Sequence, residues 1–553
     1  MQTVRRLYLY AMSGITFGVL AVGLDQLLVA ILGQLGIDRG PFIGGDQGYR
    51  EQLSLAIALV GVGLPVWGIH WWLAQRSLQA GRPNAVEERG STVRALYLTA
   101  VLAVLLGFGA FGAVELLRIL LNGLAGAGSG DYYVGDPAAA LATLTVTAVG
   151  WGYHVAVRRS DMAAGPLAGA SAWLPRVYLY GAALSGLLVT LQTIGDLVAI
   201  AAEIVLPGAG TFDDPQFRAV RVAELSAAAL VWGVVWIGHW WYANGLIRDA
   251  GWRGAGERPA RLRQAFFVAV ILAAAASVLR LGSEALRAVL IPLLGATDAL
   301  GSPDSGALLR AVLAALVAAV PWAIAWWAHV RWLRAESARS DDSDRVATAV
   351  RLDLHAVALV GLAFGATGVA WLIGLGVDLL LGGDRTADRD GFWRVELATF
   401  VPYAIGGLVA WGWKWWQASA RRAADALTEA GSMVRRSFLL IVLAGSVIAG
   451  LGSLAVVLYR LFGSLLGANL FGNTASELSA PLGILIVAVT VGLYHGLSLR
   501  RDLALRAAAV PVPAEPVAAR RSLVLIGPPD ADLDAALEAL RTGLPAGYRL
   551  DEP

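Results

Sequence analysis

Twelve apolar stretches dominate this chain, and each is long enough to cross a bilayer. A helix needs about 20 apolar residues to span a hydrocarbon layer of ~30 Å. Because 57% of the residues are hydrophobic and 15% are charged, we predict an all-α, polytopic membrane protein with about 12 transmembrane helices. Odd-numbered stretches run for roughly 30 residues and even-numbered ones for roughly 24, so odd helices should tilt or extend past the bilayer. The stretches begin near residues 6, 52, 94, 138, 176, 221, 264, 307, 352, 395, 437 and 477.

Arginine placement predicts the orientation. The amino terminus, the loops after even-numbered helices and the start of the tail hold 25 Arg, whereas the opposite loops hold eight. Positive residues stay on the cytoplasmic side, so we predict a multi-pass protein of the cell inner (plasma) membrane with both termini cytoplasmic. The first stretch, from Leu7 to about Leu35, is too long for a signal peptide and should be retained.

Composition excludes several kinds of site. A formal net charge of +2 gives no reason to expect a nucleic-acid partner, and the absence of Cys excludes disulfides and thiolate metal sites. Nucleophile elbows and His-Glu-x-x-His helices are also absent. We therefore predict no catalytic residue, cofactor or metal, and the lipid bilayer as the main partner.

A Trp-x-x-His motif, complete in Trp67-Gly-Ile-His70, recurs in degraded form near the end of each even-numbered helix. We call its last residue the slot residue; one copy holds Lys414, the only lysine of the chain. A Trp-Trp pair follows the slot only in alternate copies, so the repeating unit is four helices, present three times. An even number of spans keeps the copies in one orientation, arranged in a pseudo-threefold ring or in a row. The slot residues are His70, His154, His239, His329, Lys414 and His495.

The helix starts repeat as well. Arg6-Leu-Tyr-Leu-Tyr10 matches Arg176-Val-Tyr-Leu-Tyr180, with looser copies elsewhere. The Arg-x-x-Tyr start, the end Pro65-Val-Trp-Gly-Ile-His-Trp71 and the four-helix repeat together resemble a bacterial membrane family classed as domain of unknown function 5671, in tandem copies. The resemblance covers all twelve helices and implies an architecture but no activity.

The repeats and the change of composition after them divide the chain into five parts. The carboxyl-terminal tail is predicted to form a strand, a helix over 530–540 and a second strand, and is too small to bury a core alone. It should pack on another copy, on a protein partner or on the cytoplasmic loops. The parts are membrane repeats 1–170, 171–345 and 346–506, a Pro/Ala linker 507–519 and the tail 520–553.

Two polar layers are candidate functional sites. The slot residues, with Trp67, Trp236 and Trp411, lie near the cytoplasmic interface. They are either aromatic interface anchors or a convergent ring that binds a ligand, responds to pH, or holds a metal or haem; Lys414 argues against a metal because an ammonium cannot ligate.

The second layer is acidic and lies near the outer interface, about 30 Å of helix from the arginines. Its members are therefore not expected to pair with the histidines. Ion pairs on one helix are expected for Glu115 with Arg118 and for Glu284 with Arg287. The layer comprises Asp25, Glu115, Asp196, Glu284 and Asp378.

Function remains divided between two classes. Apolar helix centres favour a non-enzymatic scaffold, sensor or assembly protein whose tail recruits a partner. The alternative is a transporter or channel, in which the His/Lys/Trp layer and the acidic layer are two polar stations of one pathway.

Overall fold

The described part of the chain contains twelve long helices, and all twelve are long and apolar enough to span a membrane. The computed structural model describes residues 2–37, 45–79, 85–126, 135–165, 169–205, 214–251, 254, 257, 260–296, 305–339, 343–381, 391–467, 474–509 and 532–543. Within these ranges there is no β-strand. The long helices are α1 (Gln2–Gln34), α2 (Gly45–Arg76), α3 (Thr92–Leu124), α4 (Pro137–Ala163), α5 (Ala170–Val205), α6 (Pro215–Arg248), α7 (Arg261–Leu293), α8 (Ser305–Ala338), α9 (Ser343–Leu381), α10 (Phe392–Ala424), α11 (Met433–Leu465) and α12 (Thr474–Ala509). The all-α, twelve-helix prediction is confirmed.

The helices extend beyond their apolar stretches. Even-numbered helices contain between 27 and 36 residues, so all of them are longer than the roughly 24 residues predicted from the apolar stretches. Arginine is a good helix former, and the arginine-bearing turns continue the helices. At the other end, Asp214 caps α6 before Pro215, and its carboxylate accepts a hydrogen bond of 2.8 Å from the Gln216 backbone nitrogen.

Each four-helix repeat has the same packing. The first helix contacts the other three, and the third helix packs on the fourth. We call the end where odd-numbered helices begin and even-numbered helices end the arginine end. Because all three repeats point the same way, the helix starts and the slot residues lie at this one end.

The repeats form a row. At junction 1, between the first and second repeats, α3 packs on α5 and α6; at junction 2, between the second and third repeats, α7 packs on α9 and α10. Junction 2 also has an α8–α9 interface, and the corresponding α4–α5 contact is smaller. Within the described residues, α1 and α2 form no comparable interface with the third repeat. A closed threefold ring is therefore not formed.

Helix α9 is the most deeply packed of these helices. Its apolar window is the most buried of the twelve, and it crosses α10 at a pair of glycines, where a methyl group on Gly407 would overlap the backbone nitrogen of Gly365. Small residues of this kind let two helices approach closely in lipid. This crossing determines how Lys414, the slot residue on α10, lies against the start of α9.

Three short helices complete the described structure. Ala85–Arg89 and Ala426–Gly431 connect the second and third helices of the first and third repeats, and Leu533–Gly543 lies in the tail. The tail helix agrees with the helix predicted over 530–540. The two strands predicted in the tail lie outside the described residues.

Candidate functional site

In the first two repeats, the slot histidine of the second helix pairs with a tyrosine of the first helix. Nε2 of His70 lies 3.2 Å from the Tyr8 hydroxyl, and Nε2 of His239 lies 3.1 Å from the Tyr178 hydroxyl. The Nδ1 atoms donate to the carbonyl four residues earlier, at 2.7 Å for His70 and 2.8 Å for His239. A neutral imidazole that donates through Nδ1 accepts through Nε2, so the tyrosines are the donors.

The third repeat makes the same contact with charged groups. Asp353 stands two residues after Arg351, as Tyr8 stands two after Arg6, and Lys414 occupies the slot. The Lys414 ammonium donates to Asp353 at 3.3 Å, and both side chains are buried. The exchange of Tyr–His for Asp–Lys changes both partners together. The sole lysine is thus explained by a local ion pair.

The slot histidines on the fourth helices are fully enclosed. His154, His329 and His495 are at most 2% exposed. The Tyr97 hydroxyl lies 3.1 Å from Nε2 of His154, whereas the residues equivalent to Tyr97 are Phe266 and Phe438. Nε2 of His329 and of His495 is buried without a hydrogen-bond partner, because phenylalanine has no hydroxyl. These histidines lie among aromatic rings and have no access to a shared ligand.

The arginine of each helix start binds a carboxylate distant in sequence. Arg6 donates to Glu88 at 2.8 Å, and Arg94 holds Asp161 through two bonds of 2.8 and 3.1 Å. The first helix of a repeat thereby binds the segment between its second and third helices, and the third helix binds the end of the fourth. The complete set is Arg6–Glu88, Arg94–Asp161, Arg176–Glu257, Arg263–Glu336, Arg351–Glu429 and Arg435–Asp502.

The Trp-Trp pair has a structural explanation. Its first tryptophan lies beneath the arginine of the third helix, with the guanidinium carbon 5.8 Å from the ring centroid for Arg94 and Trp71. The same cation–π contact is 4.5 Å for Arg263 on Trp240, and Trp415 makes it in the third repeat. Within the described residues, no third-helix arginine stacks in this way on a fourth helix, in agreement with the alternation of the motif.

The slot tryptophans Trp67, Trp236 and Trp411 are half-buried. Their indole Nε1 atoms are buried without a hydrogen-bond partner. Trp67 stacks on Trp71 with ring centroids 6.5 Å apart, and Trp411 lies 6.1 Å from His495. Trp67 and Trp411 therefore contact aromatic side chains of their own repeats, and Trp236 packs against the core of the second repeat.

The acidic layer lies at the other end of the helices. Asp25 follows Tyr8 by 17 residues on α1, which corresponds to about 26 Å, and it accepts a hydrogen bond of 2.7 Å from Thr143. Glu115 pairs with Arg118 at 2.5 Å, as expected. Asp196 accepts from Gln192 at 2.9 Å, and Asp378 is fully buried. The contacts of Asp25, Glu115 and Asp196 are separate from one another and involve no slot residue.

One expected ion pair is wrong. Glu284 pairs with Arg280 at 2.5 Å rather than with Arg287, whose Nε donates to Thr399 on α10 at 3.1 Å. Residues at i−4 and i+3 are both neighbours on a helix, so spacing alone could not choose between them. Packing against α10 decided the choice.

An elongated cavity of about 770 Å³ lies at junction 1. Its walls come from α3 and α4 of the first repeat and α5 and α6 of the second, and we call it the inter-repeat groove. Most of the lining is Leu, Val and Ala, and the polar end holds Arg158, Arg159, Tyr178 and His239. None of the described residues that line it is acidic. The groove therefore does not connect the slot residues with the acidic layer.

Comparison with known families agrees with this repeat geometry. The model described as domain of unknown function (DUF5671) matches residues 6–149, 176–324 and 351–490. The chain belongs to the DUF5671 family. Each DUF5671 copy begins at the arginine of a first helix and ends a few residues before the slot histidine of the fourth. No curated protein and no solved structure matches the chain.

The carboxylates of the arginine pairs were missed by sequence analysis. Each is separated from its arginine by 67 to 82 residues, beyond any helical spacing rule. A signal was nevertheless present, because Glu88, Glu257 and Glu429 recur at corresponding positions of the three DUF5671 copies. Comparison of the loops, in addition to the helix ends, could have found them.

Proposed function

We propose that this DUF5671 protein is a non-enzymatic scaffold or sensor of the inner membrane, with the arginine end on the cytoplasmic side. The observation that carries the proposal is the pairing of the slot residues. Tyr8–His70, Tyr178–His239 and Asp353–Lys414 are three separate contacts within three hairpins. A transport site needs polar groups that share one cavity. The inter-repeat groove is bordered by Tyr178 and His239 but by neither of the other two pairs.

The arginine pairs support the same proposal. Removing one partner of a buried ion pair is strongly destabilising, and Arg94 with Asp161, for example, is almost completely enclosed. Six such pairs hold the loops and helix ends at one face in a fixed arrangement. A rigid, row-like platform suits a protein that positions other components.

Flux measurements test the proposal against transport. Purified protein would be reconstituted in liposomes loaded with a pH-sensitive dye, and proton, sodium and potassium gradients would be imposed. We expect leak equal to that of protein-free liposomes. Flux that disappears when His70, His239 and Lys414 are all changed to Ala would overturn the scaffold proposal and favour the transporter. A variant with His355 changed to Ala is the control, because this buried histidine of the arginine end is not a slot residue.

The tail adds a testable assembly role. The helix Leu533–Gly543 carries Leu537 and Leu540 on one face, and we propose that the tail binds a second copy of the chain. Mass photometry in nanodiscs would compare the full chain with a truncation after Ala509. We expect dimers only for the full chain; an identical mass distribution for the two chains would overturn the self-association proposal.

A further inference from the structure

The polar end of the inter-repeat groove carries positive charge that the chain does not neutralise. Arg158 is half-buried, and its Nε is buried without a hydrogen-bond acceptor. Arg159 beside it is exposed, and among the described residues no carboxylate pairs with it. Both oxygens of the carboxylate nearest in sequence, Asp161, already accept hydrogen bonds from Arg94, one from Nε and one from a terminal nitrogen. A guanidinium in an apolar cavity is costly without an anion.

Junction 2 provides an internal comparison. The position equivalent to Arg158, four residues after the slot histidine, is Leu333, which is 1% exposed in the core. The position equivalent to Arg159 is Arg334, which binds Asp353 at 2.8 Å. Asp353 takes the place of Tyr178 and also binds Lys414. At junction 2, therefore, a carboxylate of the chain neutralises the cations; at junction 1 the same location has a tyrosine.

The shape of the groove restricts what can supply the missing anion. Its lining on α4 extends from Leu144 to Met162, a distance of about 27 Å along the helix. The α6 wall opens sideways, since Leu230 is 58% exposed and Val234 is 72% exposed. A long apolar cavity that is open to the lipid and has cations at one end fits a molecule with an acyl chain and an acidic headgroup.

We propose that an anionic phospholipid binds in the inter-repeat groove. Its phosphate contacts Arg158 and Arg159, and one acyl chain lies along the apolar walls between α3, α4 and α6. The Tyr178–His239 pair borders the headgroup. The site joins the first and second repeats in the way that Asp353 joins the second and third. The proposal does not depend on the scaffold role, because lipid binding and ion flux are measured separately.

Native mass spectrometry tests the site. Delipidated protein in detergent would be incubated with phosphatidylglycerol or with phosphatidylcholine carrying the same chains, and retained lipid would be counted after activation. For the wild-type chain we expect about a tenfold preference for phosphatidylglycerol, because phosphatidylcholine carries an ammonium group that offsets the charge of its phosphate and repels the two arginines. Glycerol phosphate at equal concentration should not displace the lipid, because it cannot occupy the apolar walls.

Variants copied from junction 2 make the test specific. Arg158→Leu gives junction 1 the leucine that junction 2 has at the equivalent position, Leu333. Tyr178→Asp gives it the carboxylate that junction 2 has at Asp353. Each variant should abolish the preference for phosphatidylglycerol. Arg158→Lys, which keeps the charge, should retain it. Arg500→Leu is the matched control, since Arg500 occupies the register of Arg159 in the third repeat and, within the described residues, lies at no junction between repeats.

The possible outcomes separate clearly. Loss of preference in Arg158→Leu and Tyr178→Asp, with retention in Arg158→Lys and Arg500→Leu, supports the site. Equal retention of the two lipids by the wild-type chain would overturn it, as would an unchanged preference in both groove variants. Displacement by glycerol phosphate would limit the site to a free anion and overturn the phospholipid assignment. Retained melting temperatures would verify that each variant is folded.

Discussion

The two junctions between repeats use equivalent helices but satisfy their charges differently. At junction 2, Asp353 lies between Arg334 and Lys414, and Leu333 fills the space beside them. At junction 1 the corresponding residues are Tyr178, Arg159, His239 and Arg158, and a cavity remains. One repeated scaffold therefore accepts a neutral or an ionic pair at the same place. The substitutions must occur together, because a buried lysine needs a carboxylate.

The most damaging change should be the transfer of the junction 1 arginine to junction 2. Leu333→Arg removes a buried leucine from the second repeat's core and adds a cation whose neighbours are already paired. We expect a loss of free energy of unfolding on the order of 5 kcal/mol. Reversible unfolding in mixed micelles would measure it. A loss below about 1 kcal/mol would mean that junction 2 has space for a charge, and the contrast between the junctions would fail.

Loss of the junction 2 carboxylate should rank second. Asp353→Asn leaves Lys414 and Arg334 without their shared anion, and we expect a loss of about 3 kcal/mol in the same unfolding measurement. Asp353→Tyr combined with Lys414→His rebuilds the pair of the first two repeats. That double variant should be more stable than Asp353→Tyr alone; if it is less stable, the two positions do not act as a pair.

A smaller effect is expected from the neutral pair at junction 1. Tyr178 accepts a hydrogen bond of 2.7 Å from Trp151 and donates to His239. Tyr178→Phe removes both bonds and should cost about 1 to 2 kcal/mol. Tyr8→Phe removes a single, exposed bond to His70 and serves as the comparison. If Tyr178→Phe and Tyr8→Phe lowered the free energy of unfolding equally, the hydrogen bond from Trp151 across junction 1 would contribute nothing to stability.

The smallest effect should come from Arg158→Leu in lipid-free detergent. The variant removes an unpaired guanidinium from the groove, so the free energy of unfolding should stay within about 0.5 kcal/mol of the wild type or rise. Thermal melting in detergent and in detergent containing phosphatidylglycerol would measure it. Stabilisation by the lipid should occur only in the wild-type chain. A large loss of free energy of unfolding without lipid would instead indicate that Arg158 has a partner within the chain.

Much of the fold followed from local patterns. Apolar length predicted twelve helices, and the spacing of slot residues such as His70 and His239 predicted the three repeats. Both depend on periodicity and composition, which are properties of neighbouring residues. The partners of Arg6 and Arg94 could not be found this way, since Glu88 and Asp161 are brought to them by helix packing.

The two polar layers illustrate the same limit. Helical rise separated Asp25 from the slot residues correctly, because Tyr8, the partner of His70, lies on the same helix as Asp25. Whether the slots converge depended on how the repeats pack, and the row arrangement keeps each slot residue with its own hairpin. The partner of Glu284 also required the neighbouring helix α10 to be present.

By itself, the sequence determined the number of helices, the repeat and the end of each helix at which the arginines and slot residues lie, because hydrophobic length and helical rise act along one chain direction. Tertiary structure alone decided the pairing of Lys414 with Asp353, the six arginine–carboxylate contacts and the groove beside Arg158. These depend on distances between helices that are far apart in sequence. Equivalent residues of the repeats differ for the same reason: each faces a different neighbour.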